Sequence, residues 1–130
     1  MTNPTHLKYH EAHTWITAQA DGDGQYTVGI TGHAQAQLGD VVYVQPPEIG
    51  STIKQNEACG VIESVKTAAD VHAPASGVVT EINPALADAP ESVNTDPYAA
   101  WLFRMKLNDA AELTALLDVA AYEKIVVDLN

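Results

Sequence analysis

The chain has 130 residues, 17 acidic against 6 basic side chains, a formal charge of −11 and a pI near 4.5. That length suits one domain with its own core, and the anionic field repels nucleic acid and acidic membrane surfaces, so neither is expected as a partner. The single cysteine, Cys59, excludes an internal disulfide framework and suits a reducing compartment.

In chain order, "MTNPTHLKYH" holds no apolar run and no arginine-rich stretch, so neither a signal nor a transit peptide is expected and the cytoplasm is the default location. "HTWITA" and "QYTVGI" read as short strands on either side of the turn "DGDG". Thr31 before a polar run and Gly39 after Leu38 predict a short helix with a glycine stop. "VVYVQ" is a β-branched and aromatic strand ended by Pro46-Pro47. Asn83 as a cap and Pro84 at a first helical position predict one helical turn, and "AAWLFRMKL" returns to strand. In the tail, Asp109 and Glu112 predict a capping box, with Leu113, Leu116 and Leu117 on one helical face against the sheet. Asp118 then caps a second short helix carrying Tyr122 and Ile125. The expectation is one domain over residues 1–130, with a β body over about 7–107 and a helical segment over about 109–126.

Two segments echo each other. "VQPPEIG" and "VHAPASG" share a V-x-x-P-x-x-G frame, which predicts two similar β-units on either side of a hairpin at residues 63–68. Lys66 sits at the tip of that hairpin and is the only cation between Lys54 and Arg104. Its neighbours Val65 and Thr67 are uncharged, so a modifying enzyme has close access to the amine. Acylation there removes the charge and extends the reach beyond that of any ordinary side chain. Cys59 reads as a small apolar residue, because the nearby Glu57 and Glu63 disfavour a reactive thiolate. A rival constellation is "HLKYHEAH", whose His6, His10 and His13 have helical i, i+4, i+7 spacing beside Glu11. It lacks a cap and runs into a strand pattern, so no metal site is expected.

"ESVKTAADVHAPASG", with "GITGHAQAQLGDVVYVQPPEIG" before it and "VNTDPYAAWLF" after it, resembles the H protein family of the glycine cleavage system. The resemblance runs from Lys8 and Tyr9 to the C-terminal helix, and the E-S-V-K block of Glu63, Ser64, Val65 and Lys66 is its specific part. Biotin carriers typically flank their lysine with methionine, and lipoyl domains of the 2-oxo acid dehydrogenases place Asp before it. Val65 and Thr67 match neither.

The resemblance implies a mainly β, barrel-sandwich hybrid fold of the lipoyl/biotinyl type, with short helices and a C-terminal helical segment. It implies a non-catalytic carrier with lipoate in amide linkage to Lys66, in a tip recognised through Glu63, Ser64 and Val65 by a lipoyl ligase or transferase. A pyridoxal-phosphate glycine decarboxylase (P protein) would load an aminomethyl group onto a lipoyl sulfur. An aminomethyltransferase (T protein) would pass its carbon to tetrahydrofolate, and dihydrolipoyl dehydrogenase (L protein) would reoxidise the dithiol. The family's sheltering cleft matches His33 and Asp70 here, with Thr14 at a third position. There the family commonly reads His-Glu-Trp and this chain reads His13-Thr14-Trp15, leaving Glu11 as the nearest carboxylate in sequence. The family also favours glycine before the later tryptophan, where this chain has Ala99-Ala100-Trp101. Two alternatives stand beside this reading: a lipoate relay that supplies lipoyl groups to other enzymes, and an unmodified β-rich interaction domain.

Overall fold

The structure is a computed structural model that describes residues 3–129. Nine strands form two antiparallel sheets among these residues. The larger has the order β1 (Leu7–Tyr9), β2 (Thr14–Thr17), β3 (Tyr26–Ile30), β9 (Phe103–Leu107), β8 (Gly77–Ile82) and β5 (Thr52–Ile53). The smaller has β4 (Val41–Gln45), β6 (Ala58–Ser64) and β7 (Ala68–His72), with β6 in the middle. Neither sheet closes into a barrel. Apolar residues of both, including Val28, Phe103, Met105 and Val79 from one and Val44, Ile62 and Val71 from the other, share one core. The mainly β hybrid expected from the sequence is therefore present as two packed sheets.

The V-x-x-P-x-x-G echo has a structural counterpart. Its two copies lead out of β4 and β7, the strands that flank β6, and into β5 and β8, which pair with one another through Thr52–Val78 and Ile53–Gly77. Each copy turns the chain from the small sheet to the large one. A proline fits this corner because it has no N–H to leave unpaired.

The predicted short helix is α1 (Gly32–Leu38), where Thr31 Oγ1 accepts from the Ala34 N–H at 3.3 Å. Asn83 Oδ1 likewise accepts from the Ala85 N–H ahead of α2 (Ala85–Asp88). A further turn, α3 (Ser92–Thr95), carried no periodic signal in the sequence. Ala99 and Ala100 sit in a turn capped by Asp96, and neither has positive φ, so no glycine is needed there.

The tail differs from expectation. Residues Ala110–Ala115 form a 3-10 helix, and Asp109 caps it through the Ala111 N–H. Glu112 does not complete a capping box: its carboxylate accepts from the Ser76 N–H at 2.7 Å and from Ser76 Oγ at 3.0 Å. Two charge-assisted bonds to a distant loop outcompete one local cap. Leu117 leaves the helical face and pairs with Tyr9 by a reciprocal backbone bridge, 2.8 Å each way. Asp118 does cap the last helix, α4 (Val119–Leu129), which runs beyond the expected end at 126. Tyr122 on α4 is fully buried with Leu7, Tyr9 and Trp15 in a second core, stacked on the Tyr9 ring at 4.7 Å.

Candidate functional site: a lysine at a hairpin tip beside a cleft

β6 and β7 pair from Ala58–His72 to Glu63–Ala68, with one register shift between Ala58 and Gly60, which leaves Ser64, Val65, Lys66 and Thr67 to make the turn. Ser64 closes it. Its N–H donates to the Thr67 carbonyl at 2.7 Å, and its Oγ accepts from the Thr67 N–H at 3.1 Å. Ser64 is accordingly buried, while Glu63, Val65, Lys66 and Thr67 are exposed. Among the described residues Lys66 makes no ion pair; the ion pairs there join Arg104 to Asp21 and Glu81.

The tip rests on a prepared bed. The Val65 N–H donates to the Asp40 carbonyl at 3.0 Å, in the loop between α1 and β4. Asn94 of α3 holds that loop from behind: its Nδ2 donates to the Gly39 carbonyl at 2.7 Å and its Oδ1 accepts from the Val41 N–H at 2.8 Å. Gly39 has φ near +77°, and a Cβ there would lie 3.3 Å from Lys66 Cε, so the glycine both ends α1 and leaves room for the lysine stem. Asn94 was not legible in the sequence, because a single asparagine between short turns carries no pattern. Asn94→Ala should cost about 1–3 kcal/mol, since it strands a part-buried carbonyl and a part-buried N–H. Thermal denaturation together with hydrogen exchange at Val65 checks this; exchange there unchanged from the parent would separate Asn94 from the tip.

A cleft of about 330 Å³ opens beside the hairpin. Ile30, Ala34, Leu38, Ile62 and Val71 give it an apolar wall, and His13, Thr14, Gln37, Thr67 and Asp70 supply the polar groups. That volume lies at the lower end of small-ligand pockets. Asp70 is an exposed residue in the middle of β7, opposite Val61, and not a turn-stabilising side chain. Thr14 is 1 % exposed, with its hydroxyl donating to the His72 carbonyl at 3.0 Å. Glu11 does not take the place of the missing carboxylate, because it lines a separate hollow with His10, Gln55 and Asn56.

His33 does not itself line the cleft. Its ring packs on His13 with centroids 4.5 Å apart, and its buried Nε2 has no partner. His13 lines the cleft instead, although the sequence offers it only beside His6 and His10 at helical spacing. Because Leu7–Tyr9 is a strand, the helical spacing is lost, and no metal-holding cluster occurs among the described residues. His10 instead accepts the Ala12 N–H at Nδ1, so its Nε2 carries the proton given to Asn56 Oδ1 at 2.6 Å.

His13 has φ near +71°, a left-handed conformation uncommon for a residue with a side chain. Its backbone is pinned on both sides, its N–H donating to the His10 carbonyl and its carbonyl accepting from the Thr31 N–H. Its Nδ1 lies 2.8 Å from Tyr122 Oη, which lies 2.7 Å from Thr31 Oγ1. Thr31 Oγ1 already accepts from Ala34, so the proton order that satisfies every group runs Thr31 to Tyr122 to His13. In the sequence Tyr122 reads only as a helix residue of the tail. It ties α4 to the cleft rim.

Burial, followed by the neighbouring His33 and His10, lowers the His13 pKa below its usual value of 6.5. A histidine depressed in the fold contributes stability above its unfolded pKa, and that contribution is lost as pH falls through the folded value. Stability should therefore decline below about pH 6.5. A His13→Gln variant should show a flatter slope there in urea titrations; an identical slope would exclude His13 as the source. Burial also pushes the Cys59 thiol up to about 12, which disfavours its thiolate at neutral pH.

The site is thus one exposed amine on a short hairpin with an apolar-walled cleft alongside. Comparison with known proteins gives the class. A sequence profile of the family described as "Glycine cleavage H-protein" matches residues 7–129. The "Glycine cleavage system H protein" of Halorhodospira halophila is 54% identical over 126 residues, covering 96% of this chain and 95% of the relative. Its namesake from Escherichia coli is 51% identical, covering 96% of each. The crystal structure of a glycine cleavage system H protein from Mycobacterium marinum superposes with a TM-score of 0.85 at 41% identity, covering 94% of this chain and 97% of that one. The chain belongs to the glycine cleavage H-protein family, and its role is that family's carrier role in glycine cleavage.

Proposed function

We propose that Lys66 is the attachment point of lipoate and that the chain performs no catalysis of its own. The observation that carries this reading is the placement of Lys66: among the described residues it is the one lysine on a hairpin tip, without an ion pair, beside a cleft with an apolar wall. The amine suits amide formation because nothing competes for it, and the cleft suits a thin apolar arm that ends in a polar group. When bound, lipoate would supply a disulfide whose S–S bond is reduced as one sulfur takes up a glycine-derived aminomethyl group, and which remains attached as a dithiol once the group is passed on. The chain's residues do the rest. The Ser64 turn presents the amine, Gly39 and Asp40 support it, and the apolar wall excludes water from whatever is folded back against it.

The partners of this reading are the glycine decarboxylase, the aminomethyltransferase and dihydrolipoyl dehydrogenase, together with the ligase or transferase that attaches lipoate. A tether raises the local concentration at each in turn. The unpaired cysteine favours a cytoplasmic, reducing setting; among the described residues no helix is long and apolar enough to cross a membrane. Neither the relay reading nor the unmodified interaction domain gains support from the comparisons. The test is the mass of the Lys66 peptide from cells able to make lipoate. One lipoyl group is expected, and an unmodified lysine in such cells would overturn the reading.

A protonated amine leaving water needs a carboxylate or another acceptor nearby. Asp70 is the carboxylate that lines the cleft, and Thr14 stands where the family commonly has a second. Asp70→Ala should accept lipoate normally and yet release ammonia severalfold faster from the loaded protein, without the folate enzyme. Thr14→Glu should lengthen the lifetime. Ammonia release with time is the readout, and equal decay in all three proteins would show that the cleft does not shelter the group.

A further inference from the structure

Six large apolar side chains are exposed among the described residues: Val42, Tyr43, Ile49, Val65, Val78 and Val127. Three of them gather at the hairpin end. Val65 is in the turn itself, 75% exposed. Val42 and Tyr43 lie on β4, whose register against β6 shifts between Val41–Ser64 and Tyr43–Glu63. Val42 is the extra, unpaired residue of this β-bulge. Regular alternation would have sent Tyr43 into the core between Val42 and Val44. The bulge instead leaves two consecutive apolar residues outside, 54% and 51% exposed, while Val41 and Val44 remain buried. Bulges re-aim side chains next to functional sites, and apolar exposure rimmed by polar groups marks an interaction surface. The rim here is acidic, with Asp40 and Glu63 both exposed. Beyond Tyr43 the surface continues as a groove of about 220 Å³, with Pro46, Pro84 and Ala87 among its walls.

Resting on the carrier reading of Lys66, we propose that Val42, Tyr43 and Val65 form the docking face for the enzyme that acylates Lys66, a partner with an apolar contact patch and a basic rim. Reach selects this occupant over the enzymes that use the arm. Amide formation requires the partner's active site to close around the lysine amine itself, and so to cover the protein surface at the base of the tip. An enzyme acting at the far end of the arm stands off by roughly 14 Å, about ten bond lengths in extended form. Tyr43 is level with Glu63, which is three residues from Lys66 and so at most about 10 Å from it along the chain. A standard interface of about 800 Å² per partner is roughly 30 Å across and includes it. In the acylation, Lys66 first gives one proton to a base, and the neutral Nζ attacks the carbonyl carbon of an activated lipoyl donor, an acyl-phosphate anhydride or a thioester. The C–N bond forms as the bond to phosphate or sulfur breaks. The second proton leaves the nitrogen for the departing thiolate or, with phosphate, for solvent, and no electrons change hands.

The test uses the full-length, unmodified chain with lipoate, ATP and a lipoate–protein ligase, followed by intact mass. The Val42→Asp, Tyr43→Ala double variant should be acylated about tenfold more slowly at low carrier concentration and recover at high concentration, as for a lost contact patch. Val42→Asp alone changes only an unpaired, exposed bulge residue and should show about a threefold loss, which guards against misfolding of the double variant. Ile49→Asp, equally exposed and apolar but away from the tip, should stay within twofold of the parent. Once lipoylated, the double variant should be turned over by dihydrolipoyl dehydrogenase within twofold of the parent. Unchanged acylation of both Val42 variants, or an equal loss with the dehydrogenase, would overturn the docking face. A parent chain that never acquires the lipoyl group would instead overturn the carrier reading on which the face depends.

Discussion

Lys66→Arg is expected to fold as the parent does and to carry nothing. The side chain is exposed and unpaired, so its replacement changes stability by no more than about 0.5 kcal/mol. Function is lost outright because the guanidinium does not deprotonate at working pH and offers no neutral amine for amide formation. The measurement pairs a melting curve with the intact mass after expression in lipoate-competent cells, and with glycine-dependent reduction in the presence of the decarboxylase. An unchanged melting point with no mass gain and no turnover is the expected outcome. Lipoylation appearing at Lys54, or at any other lysine of the variant, would remove Lys66 from its assigned role.

The second large effect concerns stability and reaches the cleft from a distance. Tyr122→Ala should destabilise the protein by about 3–5 kcal/mol, since it removes a fully buried ring stacked on Tyr9. At this chain length that corresponds to a fall in Tm of roughly 3–5 °C per kcal/mol. Tyr122→Phe keeps the packing and removes only the hydroxyl. It should cost about 1–3 kcal/mol, because His13 Nδ1 and Thr31 Oγ1 then lose their common partner. Comparing the two separates packing from hydrogen bonding. If the phenylalanine variant melts with the parent while the alanine variant does not, the bond chain to His13 contributes nothing measurable. A loss in both would link the C-terminal helix to the conformation of the cleft rim.

Much of the site was legible before any coordinates. A lone lysine flanked by uncharged residues between two strand patterns marked the tip, and the Thr31 cap and Gly39 stop bounded the helix beside it. Asp70, four residues beyond Lys66, came only from the family resemblance. The resemblance also pointed to Thr14, but His13 and the Tyr122 hydroxyl behind it carry no signal in the sequence. His13 and Tyr122 are 109 residues apart in sequence and 2.8 Å apart in space. Nothing local to either one signals the other.

The amino-acid sequence by itself determined which residues alternate, where chain direction reverses and which amine is left alone, because these depend on short-range sterics, capping and the spacing of apolar side chains. Only the tertiary structure decided where competing partners go. Glu112 was free to complete a local cap and went to Ser76, since two bonds to a distant loop outweigh one nearby. Histidines spaced for a helix became a strand end and a strained turn, since the backbone of that segment found its partners across the sheet in β2 and in Leu117. The bulge that exposes Val42 and Tyr43 arises in the same way. Register between β4 and β6 is set by the whole packed pair, and one unpaired residue there reverses what alternation alone predicts.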